Sequence, residues 1–347
     1  MAKKLKRICT FLLVCILTSL TFSGCGLGAF SEIERSSDEE EAETIPRDEN
    51  LIVVGISQLG SESVWRVANT QSIQETFSQE NGYFMIFDNA RQRQENQIKA
   101  VRSFISQRVD YIVIAPVIEE GWETVLEEAK EAGIPVIIMD RAISVKDDTL
   151  YTTHVGTDQK EEGLKAGRWL ESELSRRGRT KEPIDIVVLQ GTKGSSAQRG
   201  RSLGFDTIFD QHENWNILTV RDGDFTVSKG REEMEDVLKK FPDFDVLYCQ
   251  NDDMAIGALE VLKAHGISTG VDGDVIVISI DATRDGLKLV QDGVINVDIE
   301  CNPIQGEAIS DVIKRLESGR PCEKEYFVEE KVFTIDNVND YIDSRTY

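Results

Sequence analysis

The stretch QENQIKAVRSFISQRVDYIVIAPV, residues 94–117, changes period halfway along. Ile98, Val101 and Ile105 recur three and four residues apart, the spacing of one helix face, and from Tyr111 the chain becomes a short run of strand-forming apolar residues. A strand that is apolar on both faces needs cover on both, and the helix running straight into it supplies one cover. Working outward, the same unit recurs. LIVVGIS (51–57), YFMIFDN (83–89) and PVIIMDR (135–141) are further strands of a first series; IDIVVLQG (184–191), NILTVRDG (216–223), DVLYCQND (245–252) and VIVISIDA (275–282) make a second. Helical patterns lie between them, such as MAIGALEVLKAHG (254–266), which a glycine stops. Strands alternating with helices build parallel sheets, so the sequence predicts an α/β protein with two doubly wound parallel-sheet domains.

The chain of 347 residues, 40% hydrophobic, is long enough for two such cores. Residues 1–24 stand apart. Lys3, Lys4, Lys6 and Arg7 precede an apolar stretch from Ile8 to Phe22, the layout of a signal peptide and shorter than the roughly 20 residues a spanning helix needs. TFSGC (21–25) resembles the lipobox of bacterial lipoproteins, which makes Cys25 the expected lipidation site, with Phe22 standing where an aliphatic residue is usual. The acidic, polar segment from Cys25 to Asn50 then reads as a solvated tether. Without residues 1–24 the chain keeps 35 basic against 62 acidic side chains, a formal charge of −27 that repels nucleic acid. Cys249, Cys301 and Cys322 remain beyond the tether, an odd number with no C-x-x-C pair, and His154, His212 and His265 are scattered. No metal and no cofactor is expected from such a set.

Polar residues gather where the strands end. Ser57, Gln58, Asp88, Asn89, Asp140, Arg141, Gln190, Asp224, Asn251, Asp252 and Asp281 all fall at C-terminal ends of expected strands, the edge at which open parallel sheets bind ligands. Any one Asp or Asn there also serves as a helix cap. Capping does not account for Arg141 directly after Asp140, nor for Trp65 and Arg66 in SQLGSESVWR (57–66). Carboxylates, amides and guanidinium forks hold adjacent hydroxyls in fixed geometry, and a flat aromatic covers the apolar face of a sugar ring.

SQLGSESVWR, the 94–117 unit, GDFTVSKG (223–230) and NDDMAIGA (251–258) together resemble the type I periplasmic sugar-binding proteins of ABC transporters, the ribose, galactose and allose group, and within it the galactofuranose-binding members. The resemblance runs from residue 51 to the end. It implies two domains joined by three hinge crossings, near His154, Cys301 and Glu330, so that one domain holds 51–154 with 302–330 and the other 155–301 with 331–347. It also implies a sugar cleft walled by Ser61, Glu62, Trp65, Arg66, Asp88, Asp140 and Arg141 from the first domain and by Arg199, Phe225, Asn251 and Asp281 from the second. Glu300 falls where ribose binders carry a hinge-proximal glutamine, and ECNP (300–303) departs from the galactofuranose-binding pattern.

The resulting expectation is an extracytoplasmic lipoprotein, held to the cell membrane by its lipid, that closes on a monosaccharide, galactofuranose-like or another pentose or hexose, and delivers it to an ABC transporter permease. The alternative is a sensor that presents the loaded form to a membrane histidine kinase or chemoreceptor. A repressor would need a helix-turn-helix where the signal and acidic tether stand. An enzyme is not expected either: GTKGSS (191–196) lacks the P-loop spacing and no G-x-S-x-G occurs.

Overall fold

The computed structural model describes residues 50–347. The signal segment, Cys25 and the tether through Glu49 lie outside the described residues. The first lobe opens with strand β1 (Ile52–Gln58), helix α1 (Val64–Thr76), β2 (Tyr83–Asn89), α2 (Gln94–Ser106), β3 (Tyr111–Ile114), α3 (Glu123–Glu131), β4 (Val136–Asp140) and β5 (Thr153–Gly156). The chain then passes into the second lobe with α4 (Gln159–Arg176), β6 (Ile184–Gln190), α5 (Ser196–Phe209), β7 (Trp215–Asp222), α6 (Val227–Leu238), β8 (Val246–Cys249), α7 (Asp252–Ala264), β9 (Ile276–Asp281), α8 (Arg284–Gln291) and β10 (Val297–Glu300). It returns for α9 (Gly306–Glu317) and β11 (Glu325–Phe327), and crosses again to β12 (Val332–Thr334).

Two six-stranded sheets result, ordered β11-β5-β4-β3-β1-β2 and β12-β10-β9-β8-β6-β7. All pairings are parallel except β12 against β10. The strands are apolar on both faces because each sheet carries a helix layer on each side. In the first lobe Val54, Ile56, Val113 and Met139 pack toward α1 and α9, while Val53, Ile112, Ile114 and Ile138 pack toward α2 and α3. The eight strands expected from sequence are present. The four that sequence did not reveal, β5, β10, β11 and β12, have three or four residues each and flank the lobe crossings.

The helix face in residues 94–117 is rotated from the expected one. Ala100, Val101 and Phe104 are buried, whereas Ile98 and Ile105 are only partly so. Phe104 lies flat on β1 at Gly55, where even a methyl group would come within 2.5 Å of the ring. Gln97 is also fully buried: its amide donates to Ala115 O at 2.7 Å and accepts from Val117 N at 2.9 Å, bracing the chain just beyond β3.

One helix contact sets the second lobe's side of the cleft. Helices α4 and α5 meet through Gly163 and Gly167 on one and Gly200 and Gly204 on the other; an added Cβ would sit 2.2 Å from Arg201 O at Gly163 and 2.1 Å from Lys160 O at Gly204. The backbones therefore touch, and Arg201, one turn before Gly204, is pressed against the first turn of α4. Gly204→Ala should separate the helices and destabilise the protein by about 1–3 kcal/mol, the cost of overpacking a tight contact. Urea unfolding would show this as a lower midpoint, and an unchanged midpoint would mean that the helices have slack to give.

Candidate functional site

The C-terminal edges of both sheets face each other, and the strand orders place the switch point between β1 and β3 in one lobe and between β6 and β8 in the other. Between the edges lies a narrow space of about 20 Å³, lined by Glu62, Ser63, Trp65, Arg66, Asp140, Arg141, Ala197, Arg201, Phe225, Asn251, Asp281 and Cys301. With the lobes closed, that space holds about one water molecule, so a larger ligand is admitted only as the lobes move apart.

The lobes are closed on one another around it. Trp65, carried by α1 of the first lobe, inserts among core residues of the second and donates its indole N–H to Cys301 O at 2.5 Å. Ala142 N donates to Ser196 Oγ at 2.8 Å, and Val64 N to Asp253 Oδ2 at 3.3 Å. Burial and the neighbouring Asp252 push the Asp253 carboxyl up to about 7.

Charge is paired inside the seam. Arg66 bonds Asp140 at 2.5 Å and Glu62 at 3.2 Å; Arg141 lies 3.9 Å from Glu62 and donates to Val117 O at 3.0 Å. From the other lobe, Arg201 bonds Glu162 at 2.6 Å and lies 3.6 Å from Asp281. Side chains in these pairs are at most 5% exposed. Burial, with Arg66 as the next cause, brings the Arg141 guanidinium down to about 10. Burial likewise raises the Asp281 carboxyl well above the usual carboxylate range, against the pull of Arg201. The Phe225 ring has a guanidinium on either hand, Arg141 at 5.2 Å and Arg201 at 5.7 Å from its centre.

Local backbone aims these side chains. Asp140 (φ 61°), Phe225 (φ 60°) and Asp281 (φ 126°) adopt the left-handed region that side-chain-bearing residues avoid, each where a strand breaks off into the cleft. The Asp281 turn is locked from below by Asp252, which accepts from Ser279 Oγ at 2.5 Å, Thr283 N at 2.8 Å and Thr283 Oγ1 at 2.7 Å. Asn251 caps α7 through Met254 N at 3.0 Å and also lines the cavity, so capping and site geometry coincide in one residue.

Of the residues expected in a cleft, Glu62, Trp65, Arg66, Asp140, Arg141, Phe225, Asn251 and Asp281 are brought together here. Ser61, Asp88, Arg199 and Glu300 are not. Ser61 is exposed, and Ser63 faces the seam as the α1 cap. Asp88, one residue before the end of the edge strand β2, is not in the cavity lining, although its Oδ1 is buried without a hydrogen-bond partner among the described residues. Arg199 is 56% exposed and bridges the rim to Glu119 at 2.6 Å. Arg201 takes the inner position instead: Ala197, Arg201, Phe205 and Ile208 share the buried face of α5, and that period, read backward from Phe205, marks 201 and not 199. Glu300 turns away to accept from Lys331 N at 2.9 Å and Arg345 at 2.8 Å. Cys301, Ala197 and Glu162 carried no polar strand-end signal and were missed.

Residues 54–321 match the description of a periplasmic binding protein domain. The chain belongs to the periplasmic binding protein family. A member from Escherichia coli (strain K12), galactofuranose-binding protein YtfQ, is 39% identical over 298 residues, 85% of this chain and 91% of that one. A solved Mycobacterium smegmatis structure in complex with beta-D-fucofuranose has a TM-score of 0.79 at 39% identity, covering 83% of this chain and 93% of that one. The periplasmic binding protein component of the arabinose ABC transporter from Shewanella sp. ANA-3, bound to alpha- and beta-L-arabinofuranose, gives 0.79 and 39%, covering 85% and 95%. The two lobes with their parallel sheets are the type I fold of periplasmic binding proteins, in which the ligand cleft lies between the lobes.

The two arginines of α5 should part company on substitution. Arg201→Ala leaves Glu162 and Asp281 buried without their cation and should cost about 3–5 kcal/mol in urea unfolding, whereas Arg199→Ala breaks an exposed pair worth at most about 1 kcal/mol. Equal losses would show that the inner pairing is not what holds this wall.

Proposed function

We propose that this chain is an extracytoplasmic sugar-binding protein of an ABC importer, which encloses one neutral monosaccharide in furanose form between its lobes. The observation that carries this reading is the cleft's donor and acceptor set: guanidinium groups of Arg66, Arg141 and Arg201, carboxyl groups of Glu62, Asp140 and Asp281, and the faces of Trp65 and Phe225, all converging on one cleft between the lobes. Glu62 Oε2 is buried with no hydrogen-bond partner among the described residues, an acceptor that a sugar hydroxyl would satisfy. The relatives whose names or bound sugars are furanoses support the ring form. Closure by ligand follows because Arg66, Asp140 and Arg141 on one wall and Arg201, Asn251 and Asp281 on the other reach the same molecule only when the lobes meet. The loaded, closed form then docks on a membrane permease, with Cys25 and the acidic tether keeping it near the membrane. Presentation to a sensor kinase would use the same closed form, and a kinase that responds to the sugar in place of sugar uptake would favour that role.

Thermal unfolding of the protein with L-arabinose, D-fucose and D-galactose tests the ligand class. At least one of them should raise Tm in proportion to the logarithm of its concentration, and Asp140→Ala should abolish the rise, while Asp236→Ala, on the exposed face of α6, should leave it intact. No rise with any of the three sugars would defeat the furanose reading.

Anchoring is tested separately. Cys25→Ala should move the protein from the membrane fraction to the soluble fraction, since stable attachment takes the acyl chains of the lipid. Wild-type protein found wholly in the medium would overturn the lipoprotein assignment.

A further inference from the structure

The three crossings between the lobes, residues 157–158, 301–305 and 328–331, converge on one buried spot that adjoins the cavity. Glu162, in the first turn of α4 just past the first crossing, is fully buried; the Glu330 side chain, on the third crossing, is 3% exposed. Their carboxyl oxygens and Cys301 Sγ, on the second crossing, all lie within 4.8 Å of one another. Glu162 Oε2 accepts from Arg201, but Glu162 Oε1 and Glu330 Oε1 are buried with no hydrogen-bond partner among the described residues. Two carboxylates cannot both stay ionised at that separation out of water. The remaining charges nearby are Lys165, 3.8 Å from Glu330, and Asp281 beyond Arg201.

We propose that Glu162 and Glu330 share a single proton at neutral pH, a hydrogen-bonded clasp across the hinge that positions Arg201 and Trp65 in the cleft. Glu162 holds Arg201 directly, and the Cys301 segment, packed on the clasp, presents the carbonyl that receives the Trp65 indole N–H. A metal ion between the carboxylates is disfavoured because Arg201 and Lys165 already supply positive charge beside both.

The clasp makes stability fall with rising pH. Burial, and after it the Glu162 charge, push the Glu330 carboxyl up to about 11, whereas a glutamate in an unfolded chain titrates near 4.3. Between those values the folded chain carries one proton that the unfolded chain has lost. The contribution is therefore complete below the unfolded value and is lost steadily as pH rises toward the folded one. Cleft geometry should loosen in the same direction, and that consequence rests on the sugar-binding reading; the proton itself does not.

The full chain without added sugar tests the proton. Calorimetric unfolding at pH 8 in buffers of different ionisation enthalpy should release about one proton more from wild type than from Glu330→Gln, whose amide donates to Glu162 but cannot titrate. Because that variant could misfold, wild-type protein labelled with 13C at glutamate carboxyls provides a second measurement: one protonated carboxyl should persist at pH 8 in its infrared spectrum. Equal proton release, or a labelled spectrum in which every glutamate is ionised, overturns the clasp. So does stoichiometric metal whose removal by chelator lowers Tm in wild type but not in Glu330→Gln. In sugar titrations with L-arabinose, D-fucose and D-galactose, affinity should be governed by the clasp only as pH rises from 9 toward 11, where wild type should weaken more than Glu330→Gln; absence of binding at every pH would count against the sugar reading and leave the proton result standing.

Discussion

A guanidinium taken out of water must be paired, and this molecule buries three of them where its lobes meet. Removing an unpaired charge from solvent costs several kcal/mol even after the protein relaxes, so Arg66, Arg141 and Arg201 dictate the positions of the carboxylates around them. Arg66 fixes Glu62 and Asp140; Arg201 fixes Glu162 and approaches Asp281. Everything that positions those acids is then constrained in turn: the left-handed turns at Asp140 and Asp281, the Asp252 lock beneath the second of these, and the glycine contact that presses α5 onto α4. The seam is rigid because its charges leave little freedom. It is also selective, because a ligand has to satisfy the lone pairs and N–H groups that the pairs leave over.

Much of this was legible in the sequence, for reasons that can be traced to particular residues. Runs such as YIVIAPV and VIVISIDA announce buried parallel strands because both faces are apolar, and polar residues directly after them mark the ligand edge of the sheet. The short strands at the crossings were illegible: Glu325–Phe327 and Val332–Thr334 have three residues each, too few for a period, and they exist because a neighbouring strand is there to pair with. The Arg199 and Arg201 exchange has a different cause. Both lie in a helix, where two residues separate an inward position from the rim, and a motif read as a string of letters carries no such phase until Phe205 and Ile208 fix it.

The crossings themselves were implied by the resemblance, but the carboxyl cluster they build was invisible for a third reason. Glu162, Cys301 and Glu330 are far apart in sequence and none stands in a recognisable motif; they become a unit only when the chain crosses between lobes three times in one place. Topology, not local pattern, creates the site. The same geometry explains why Trp65 serves both lobes, since α1 starts at the seam and its first turn has nowhere to put a large ring except against the Cys301 segment.

Charge balance in the cleft bears on the kind of ligand it can accept. Three guanidinium groups face four carboxyl groups, those of Glu62, Asp140, Glu162 and Asp281, and burial holds Asp281 toward its neutral form. The cavity therefore has no surplus positive charge, despite its arginines. A phosphorylated or acidic sugar would bring a charge that each guanidinium could meet only by abandoning a buried carboxylate, a trade that costs several kcal/mol for the carboxylate left behind. A neutral polyol asks for no such trade: its hydroxyls donate to carboxylates and accept from guanidinium N–H groups that remain paired. On the proposed reading, then, neutrality of the ligand is imposed by the same pairing that holds the lobes together, while shape within the neutral class is left to Trp65, Phe225 and the turns that aim them.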